Sequence, residues 1–236
     1  MKFDLLVVMP VFNEQESVRR VLLEWIPEIT RHCEHFTVLA IDDGSTDRTL
    51  EVLKEAQARF APRLEIQSRS NRGHGQTCLE GYRVACLRGI PWVFQIDSDG
   101  QCAPEYFQRV WKKRFSNDVI YGHRVVRDDG WRRVLASFVL KLVLLVFAEV
   151  WCVDANVPYR LMRTELLPSI LSTIPDDFFL VNVAIAVQLR RAKWREQSIS
   201  IRFRERFGGG SAVKISTFAS RACEFVTALK HLAPVK

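Results

Sequence analysis

The chain has 236 residues, 48% hydrophobic and 26% charged, enough to bury the core of one α/β domain and unlike a disordered or fibrous chain. Its 34 Lys and Arg against 27 Asp and Glu leave a net charge of +7, which suits an anionic partner: a nucleotide diphosphate, a lipid phosphate, an acidic membrane or a nucleic acid. Six cysteines with no C-x-x-C pair exclude the usual zinc and redox motifs and read as reduced thiols.

The Met1–Asp4 start leads into only five apolar residues, so no signal peptide is expected and the chain is expected to be cytoplasmic. Leu5–Met9, closed by Pro10, reads as a buried parallel strand. Val18, Val21, Leu22 and Trp25 recur at helical spacing, and Pro27 is expected to end or kink that helix. Phe36–Ile41 reads as a strand, Asp47–Phe60 as a helix and Leu64–Ser68 as a third strand. Asn71–Gly75 reads as a loop, Gln76–Arg88 as a helix and Trp92–Ile96 as a fourth strand. This alternation predicts a mostly parallel sheet flanked by helices, with ligands at the carboxyl ends of the strands.

Beyond residue 104, Glu105–Lys113 reads as a helix and Val119–Gly122 as a strand. Arg124–Arg133 packs six charges into ten residues. Val134–Val153 is then apolar but for Ser137, Lys141 and Glu149. Its two charges argue against a membrane span. A helix packed into the fold and a helix lying in a membrane interface both remain, and they are compatible. The last strand is expected at Ser198–Phe203. The organisation is one domain over 1–236, a nucleotide-binding half (1–101) followed by an acceptor-binding half (102–236).

Three polar motifs follow strand ends. In Pro10-Val11-Phe12-Asn13-Glu14, an aromatic ring and a carboxylate can engage a nucleobase, or Asn and Glu can serve as caps. In Asp42-Asp43-Gly44-Ser45-Thr46-Asp47, Asp43 reads as a ligand, Ser45 and Asp47 as helix caps. In Asp97-Ser98-Asp99-Gly100-Gln101, alternate residues of an extended segment point to one side. Two carboxylates and an amide oxygen are hard donors suited to Mg²⁺ or Mn²⁺. Adjacent carboxylates repel unless a cation joins them.

Together these motifs resemble glycosyltransferase family 2, and within it the dolichyl-phosphate mannosyltransferase and polyprenyl-phosphate glycosyltransferase branch. The resemblance covers most of the chain and implies a single GT-A-type domain. It implies that Pro10, Phe12 and Glu14 line the base, with Ile41 and Asp43 completing that pocket. Asp97 and Ser98 would meet ribose and phosphate, and Asp97, Asp99 and Gln101 form the metal set. Gly122-His123-Arg124 is similar to the family's Gly-Ser-Arg, placing Arg124 near the acceptor phosphate. Arg133 and Ser137, one helical turn apart, resemble the Arg-x-x-x-Ser that grips the same phosphate. Asp154–Arg160 resembles the segment Asp-x-x-Ser-Gly-Phe-Arg, with Asn156-Val157-Pro158 as a departure. Arg206, Gly209 and Ser211 resemble a loop closing over the donor phosphates, in which Ala212 takes the lysine position and Lys214 follows two residues later. Asn71-x-Gly73-x-Gly75 is similar to the family's Asn-x-Gly loop; His74 stands for its lysine and reads as structural.

The implied function is inverting, metal-dependent transfer from a GDP- or UDP-sugar to a polyprenyl or dolichyl phosphate. The expected setting is the cytosolic face of a membrane, peripherally or through a membrane-protein partner. An anionic acceptor needs no general base, and Arg124 and Arg133 position it. With a hydroxyl of a polysaccharide or lipid-linked oligosaccharide as acceptor, Asp154 is the candidate base. The catalytic set is therefore Asp99, Arg124, Arg133 and Asp154. A non-catalytic nucleotide-sugar-binding protein is the third reading. No nucleic-acid partner is expected, because aromatic and basic residues do not interleave.

Overall fold

The computed structural model describes residues 3–124, 131–152, 154–175, 178, 180–208, 222–230 and 232, and the backbone alone at 131–137, 222–224 and 230. Its strands are β1 (Leu5–Val11), β2 (Phe36–Asp42), β3 (Leu64–Ser68), β4 (Trp92–Gln95), β5 (Val119–Arg124), β6 (Arg160–Arg163) and β7 (Glu196–Ile201). They form one sheet in the order β3-β2-β1-β4-β6-β5-β7. The pairs β1–β2, β2–β3, β1–β4 and β5–β7 are parallel, whereas β6 runs antiparallel to both β4 and β5. All seven residues of β1 and of β2 are buried, which is why they read as unbroken apolar runs: helices cover both faces.

The helices are α1 (Val18–Thr30), α2 (Thr49–Phe60), α3 (His74–Leu87), α4 (Phe107–Lys113), α5 (Trp131–Ala148), α6 (Leu167–Leu171), α7 (Val181–Arg191) and α8 (Ala222–Lys230). Right-handed crossovers place α1 and α2 on one face, and the return past β1 to β4 places α3 on the other. There α3 lies tight on β1: a Cβ at Gly81 would come within 2.3 Å of Val8 Cγ1. Behind the strand ends, the rings of Trp25, Phe94, Phe107 and Tyr159 form one cluster with centroids 5.0–6.4 Å apart. Such tilted and edge-on pairs add to the area they bury. The cluster ties α1, β4, α4 and the segment before β6 into one core.

Several boundaries differ from expectation. The helix α1 runs through Pro27 to Thr30; burial of Ile26 and Ile29 holds the extra turn despite the hydrogen bond the ring removes. α3 starts at His74 rather than Gln76, and β5 continues to Arg124. β7 begins at Glu196 and stops at Ile201, leaving Phe203 in an isolated bridge with Cys102. β6 and α7 are additional to the expected elements. Every residue of α7 from Val181 to Leu189 is buried, so no polar face marks it as a helix.

α5 packs one side into the fold and exposes the other. Leu144 and Ala148 are buried, whereas Phe138, Val139, Leu142, Leu145 and Val146 are exposed. No helix among the described residues is long and apolar enough to cross a membrane. Cys33, Cys78, Cys86, Cys102 and Cys152 are free thiols, as expected.

Candidate active site

The site forms where β1, β2, β4 and β5 end, at the carboxyl rim of the sheet. The turn after β1 is built on Asn13, which adopts a positive φ of 53°, tolerable for Asn. Its N–H donates to Ser45 Oγ at 2.9 Å, and its Oδ1 accepts from Thr46 N at 2.8 Å. The β1 and β2 turns are thereby locked together. Phe12, at 37% exposure, is the open aromatic of this corner. Pro10 and Ile41 face each other across β1 and β2, both buried in the sheet.

Asp43 is turned away from solvent. Its Oδ1 accepts from Arg72 N at 2.9 Å and its Oδ2 from Gly73 N at 2.8 Å, and Arg69 pairs with it at 3.0 Å. The residue expected to recognise the base therefore anchors the 71–73 loop. Of the expected caps, Asp47 Oδ1 accepts from Thr49 N at 2.9 Å, while Ser45 serves Asn13.

Beyond β4, Ser98 donates to Pro10 O at 2.9 Å and is buried, so it ties the acidic turn to β1. The side chains flanking it carry the charge. Asp99 Oδ1 accepts from Gln101 N at 3.0 Å, and its Oδ2 lies 3.4 Å from Arg206 Nη1. Asp97 Oδ1 is a buried oxygen with no hydrogen-bond partner among the described residues; His74 Nε2 stands 3.8 Å from it. Burial pushes the Asp97 carboxyl up, His74 opposes this, and Asp99 adds to it. Burial also raises Glu14, against its hydrogen bond from Ser17 and the charge of Arg206, with Asp99 and Asp97 reinforcing the rise. His74 is raised as well: burial works against its charge, but Cys78, Asp97 and Asp99 outweigh it. Three carboxylates thus share one corner at the cost of mutual repulsion.

Segment 203–208 lies across this corner. Arg204 N donates to Gln101 O at 2.9 Å and Phe207 N to Asp99 O at 3.0 Å. Phe207 packs on Gly100, whose φ is +81° and where a Cβ would come within 2.3 Å of that ring. Only glycine meets both demands without strain. Arg20 and Arg204 stack on the Phe207 ring at 3.8 and 4.8 Å, and Arg204 pairs with Glu24 at 2.7 Å. Arg206 hydrogen-bonds Glu14 and donates from Nε to Gly208 O at 2.9 Å. Sequence reasoning missed Arg204 and Phe207, whose contacts are to residues far away in the chain.

At the end of β5, Arg124 grips Asp154 in a two-pronged pair, Nε to Oδ2 at 2.8 Å and Nη2 to Oδ1 at 2.9 Å. Both are largely buried. Arg160 is fully buried and donates to Ala155 O at 2.9 Å and Asn182 O at 3.0 Å, which fixes the segment carrying Asp154. The side chains of Arg133 and Ser137, together with Gly209, Ser211, Ala212 and Lys214, lie outside the described residues.

The corner fits a divalent cation. Asp97 Oδ1 is an unpartnered buried oxygen, the Asp99 carboxylate acts on it electrostatically, and carboxylate oxygens are hard donors. Among the described residues no group of three or more His, Cys, Asp or Glu is arranged to hold a metal. Mg²⁺-type sites can use only one or two carboxylates together with substrate phosphates and water.

The model of the family described as Glycosyl transferase family 2 matches residues 6–189. Polyprenol monophosphomannose synthase of Mycolicibacterium smegmatis is 25% identical over 209 residues, covering 85% of this chain and 77% of that protein. Undecaprenyl-phosphate 4-deoxy-4-formamido-L-arabinose transferase of Edwardsiella ictaluri is 26% identical over 226 residues, covering 94% and 67%. Glucosyl-3-phosphoglycerate synthase from Mycobacterium tuberculosis, crystallised with Mn²⁺, UDP and glucosyl-3-phosphoglycerate, matches with a TM-score of 0.71 at 13% identity, covering 98% of this chain and 81% of that one. This last likeness is one of fold.

Proposed function

We propose, from the premise that this chain belongs to glycosyl transferase family 2 and is a glycosyltransferase, that it transfers a sugar from a GDP- or UDP-sugar to a polyprenyl or dolichyl phosphate with inversion. The observation that carries the donor half of this reading is the corner at the carboxyl ends of β1 and β4, where Glu14 and Asp99 pair with Arg206 and Asp97 stands beside the two carboxylates. The acceptor half draws on two relatives whose names specify a polyprenol or undecaprenyl phosphate product or substrate.

Phe12 offers its exposed ring to the base, and Arg206 offers a guanidinium fork to the diphosphate. Asp97, Asp99 and Gln101 would hold Mg²⁺ or Mn²⁺, whose charge stabilises the departing nucleotide diphosphate. An acceptor phosphate oxygen attacks the anomeric carbon as the bond to the nucleotide diphosphate breaks; no proton has to be removed. Asp154 accepts from Arg124 with both oxygens, so it positions the arginine that receives the acceptor phosphate. That use favours the phosphate over a hydroxyl, which would require Asp154 as base. Arg133 and Ser137 complete the phosphate grip, and the exposed face of α5 rests on the membrane that carries the lipid.

The test is nucleotide release from a panel of nucleotide sugars with Mn²⁺, measured with and without polyprenyl phosphate. Release that depends on the lipid phosphate is expected. Arg133→Ala should then lower transfer steeply while donor binding survives. Transfer to a saccharide hydroxyl with none to the lipid phosphate would refute the acceptor assignment.

A further inference from the structure

We infer that Arg206 is a resident counter-cation of the acidic turn: it opposes binding of a divalent cation alone, and a nucleotide diphosphate draws it off, so that cation and donor bind cooperatively. This rests on the donor reading above. The guanidinium spends all three of its nitrogens inside the site: Nη1 on Asp99 Oδ2 at 3.4 Å, Nη2 on Glu14, and Nε on Gly208 O at 2.9 Å. The second Asp99 oxygen is held by Gln101 N at 3.0 Å. A divalent cation arriving at Asp99 by itself therefore meets a like charge already seated on the same carboxylate. Two cations that close in a partly buried corner repel strongly.

A diphosphate changes this balance. Its paired oxygens match the guanidinium fork better than two separately placed carboxylates do. The main chain permits the exchange, because it is pinned on either side of Arg206: Arg204 N to Gln101 O, and Phe207 N to Asp99 O. Stacking of Arg20 and Arg204 on Phe207 adds to that hold. The side chain can change partners while the strap stays in place. Glu14 then keeps its hydrogen bond from Ser17, and Asp99 Oδ2 becomes available to the cation.

The experiment is a titration of Mn²⁺ followed by electron paramagnetic resonance of the free ion. It uses wild type and Arg206→Gln, alone and with saturating GDP or UDP, corrected for Mn²⁺ bound by free nucleotide. Wild type should take up Mn²⁺ at least about fivefold more tightly with the nucleotide, the lower end of ordinary coupling between two ligands. Arg206→Gln should bind Mn²⁺ alone about fivefold more tightly than wild type, and its coupling should shrink by that factor to what the diphosphate's own oxygens supply. Circular dichroism establishes that the variant is folded. The inference is overturned if Arg206→Gln binds Mn²⁺ alone no better than wild type, or if wild type, which needs no variant to fold, shows no coupling. Should wild type bind no Mn²⁺ with either nucleotide, the donor reading falls along with it.

Discussion

Asp97 holds an oxygen that is buried and unpartnered among the described residues, and its folded-state pKa is raised, first by burial. A carboxylate raised in the folded state costs stability progressively as pH rises through its unfolded value, in full above its folded one, and not at all in acid, where both states are protonated. Asp97→Asn should therefore raise apo-protein stability at neutral pH by about 1 kcal/mol, the usual scale for relieving a functional site. The gain should fade as pH falls into the ordinary carboxylate range. Urea unfolding at several pH values measures both, and loss of Mn²⁺ uptake in the same variant would separate stability from function. The pair Arg124–Asp154 behaves in the opposite sense. Asp154→Asn removes the carboxylate charge that both prongs of Arg124 engage and should destabilise by about 3 kcal/mol. Adding Arg124→Gln should cost little more, because the shared interaction is already lost. Sequence made Asp97 and Asp99 legible because acidic residues directly after a buried strand have few structural uses. The partner of Glu14 was not legible: Arg206 lies 192 positions away, and no local pattern encodes that distance.

α5 shows how a helix can be apolar on every side for two reasons. Leu144 faces inward and is fully buried, while Leu142, Leu145 and Val146 face outward and are exposed. Leu144→Ala should cost about 3 kcal/mol of stability, the ordinary penalty for a core leucine. Leu142→Glu with Val146→Glu should leave the unfolding midpoint almost unchanged, yet lower partitioning onto anionic vesicles by at least about tenfold, given roughly 1.5–3 kcal/mol for each large apolar side chain withdrawn from water. Vesicle co-sedimentation beside thermal unfolding distinguishes the two faces; vesicle binding unaffected by the double substitution would remove the membrane role. The existence of this helix was readable from twenty near-uninterrupted apolar residues at 134–153, but it runs from Trp131 to Ala148, and its division into faces was not readable, since both carry the same residue types. β6 escaped notice for a related reason: Arg160 and Arg163 bracket only two apolar residues, and four positions give too short a period to detect. α7 has the reverse problem, with burial all round and no polar stripe.

For the whole molecule, the far end of the sheet from the site is clamped by Asp118. It accepts from Arg195 at 2.9–3.2 Å and pairs with Arg163 at 3.2 Å, joining the ends of β5, β6 and β7. The hydrogen bonds of Arg195 hold its carboxyl below the usual range. A depressed acid contributes stability above its unfolded pKa and loses it as pH falls through the folded value. Asp118→Asn should thus cost about 1 kcal/mol at neutral pH, given how exposed Arg195 is, and nothing in strong acid; urea midpoints across that pH range check it. The layered α/β plan and the single mostly parallel sheet were readable from alternating periodicities in the first hundred residues. The strand order was not, because the antiparallel insertion of β6 between β4 and β5 depends on contacts made across the whole chain.

That insertion carries a geometric consequence. Because β6 runs against β4, with Gln95 opposite Arg160, the peptide entering β6 arrives at the same rim from which β4 departs. A strand running the other way in that slot would deliver Asp154 to the opposite end of the sheet, some four residues' length from Asp97. One reversal of chain direction sets the segments that carry Asp97 and Asp154 at the same rim of the sheet.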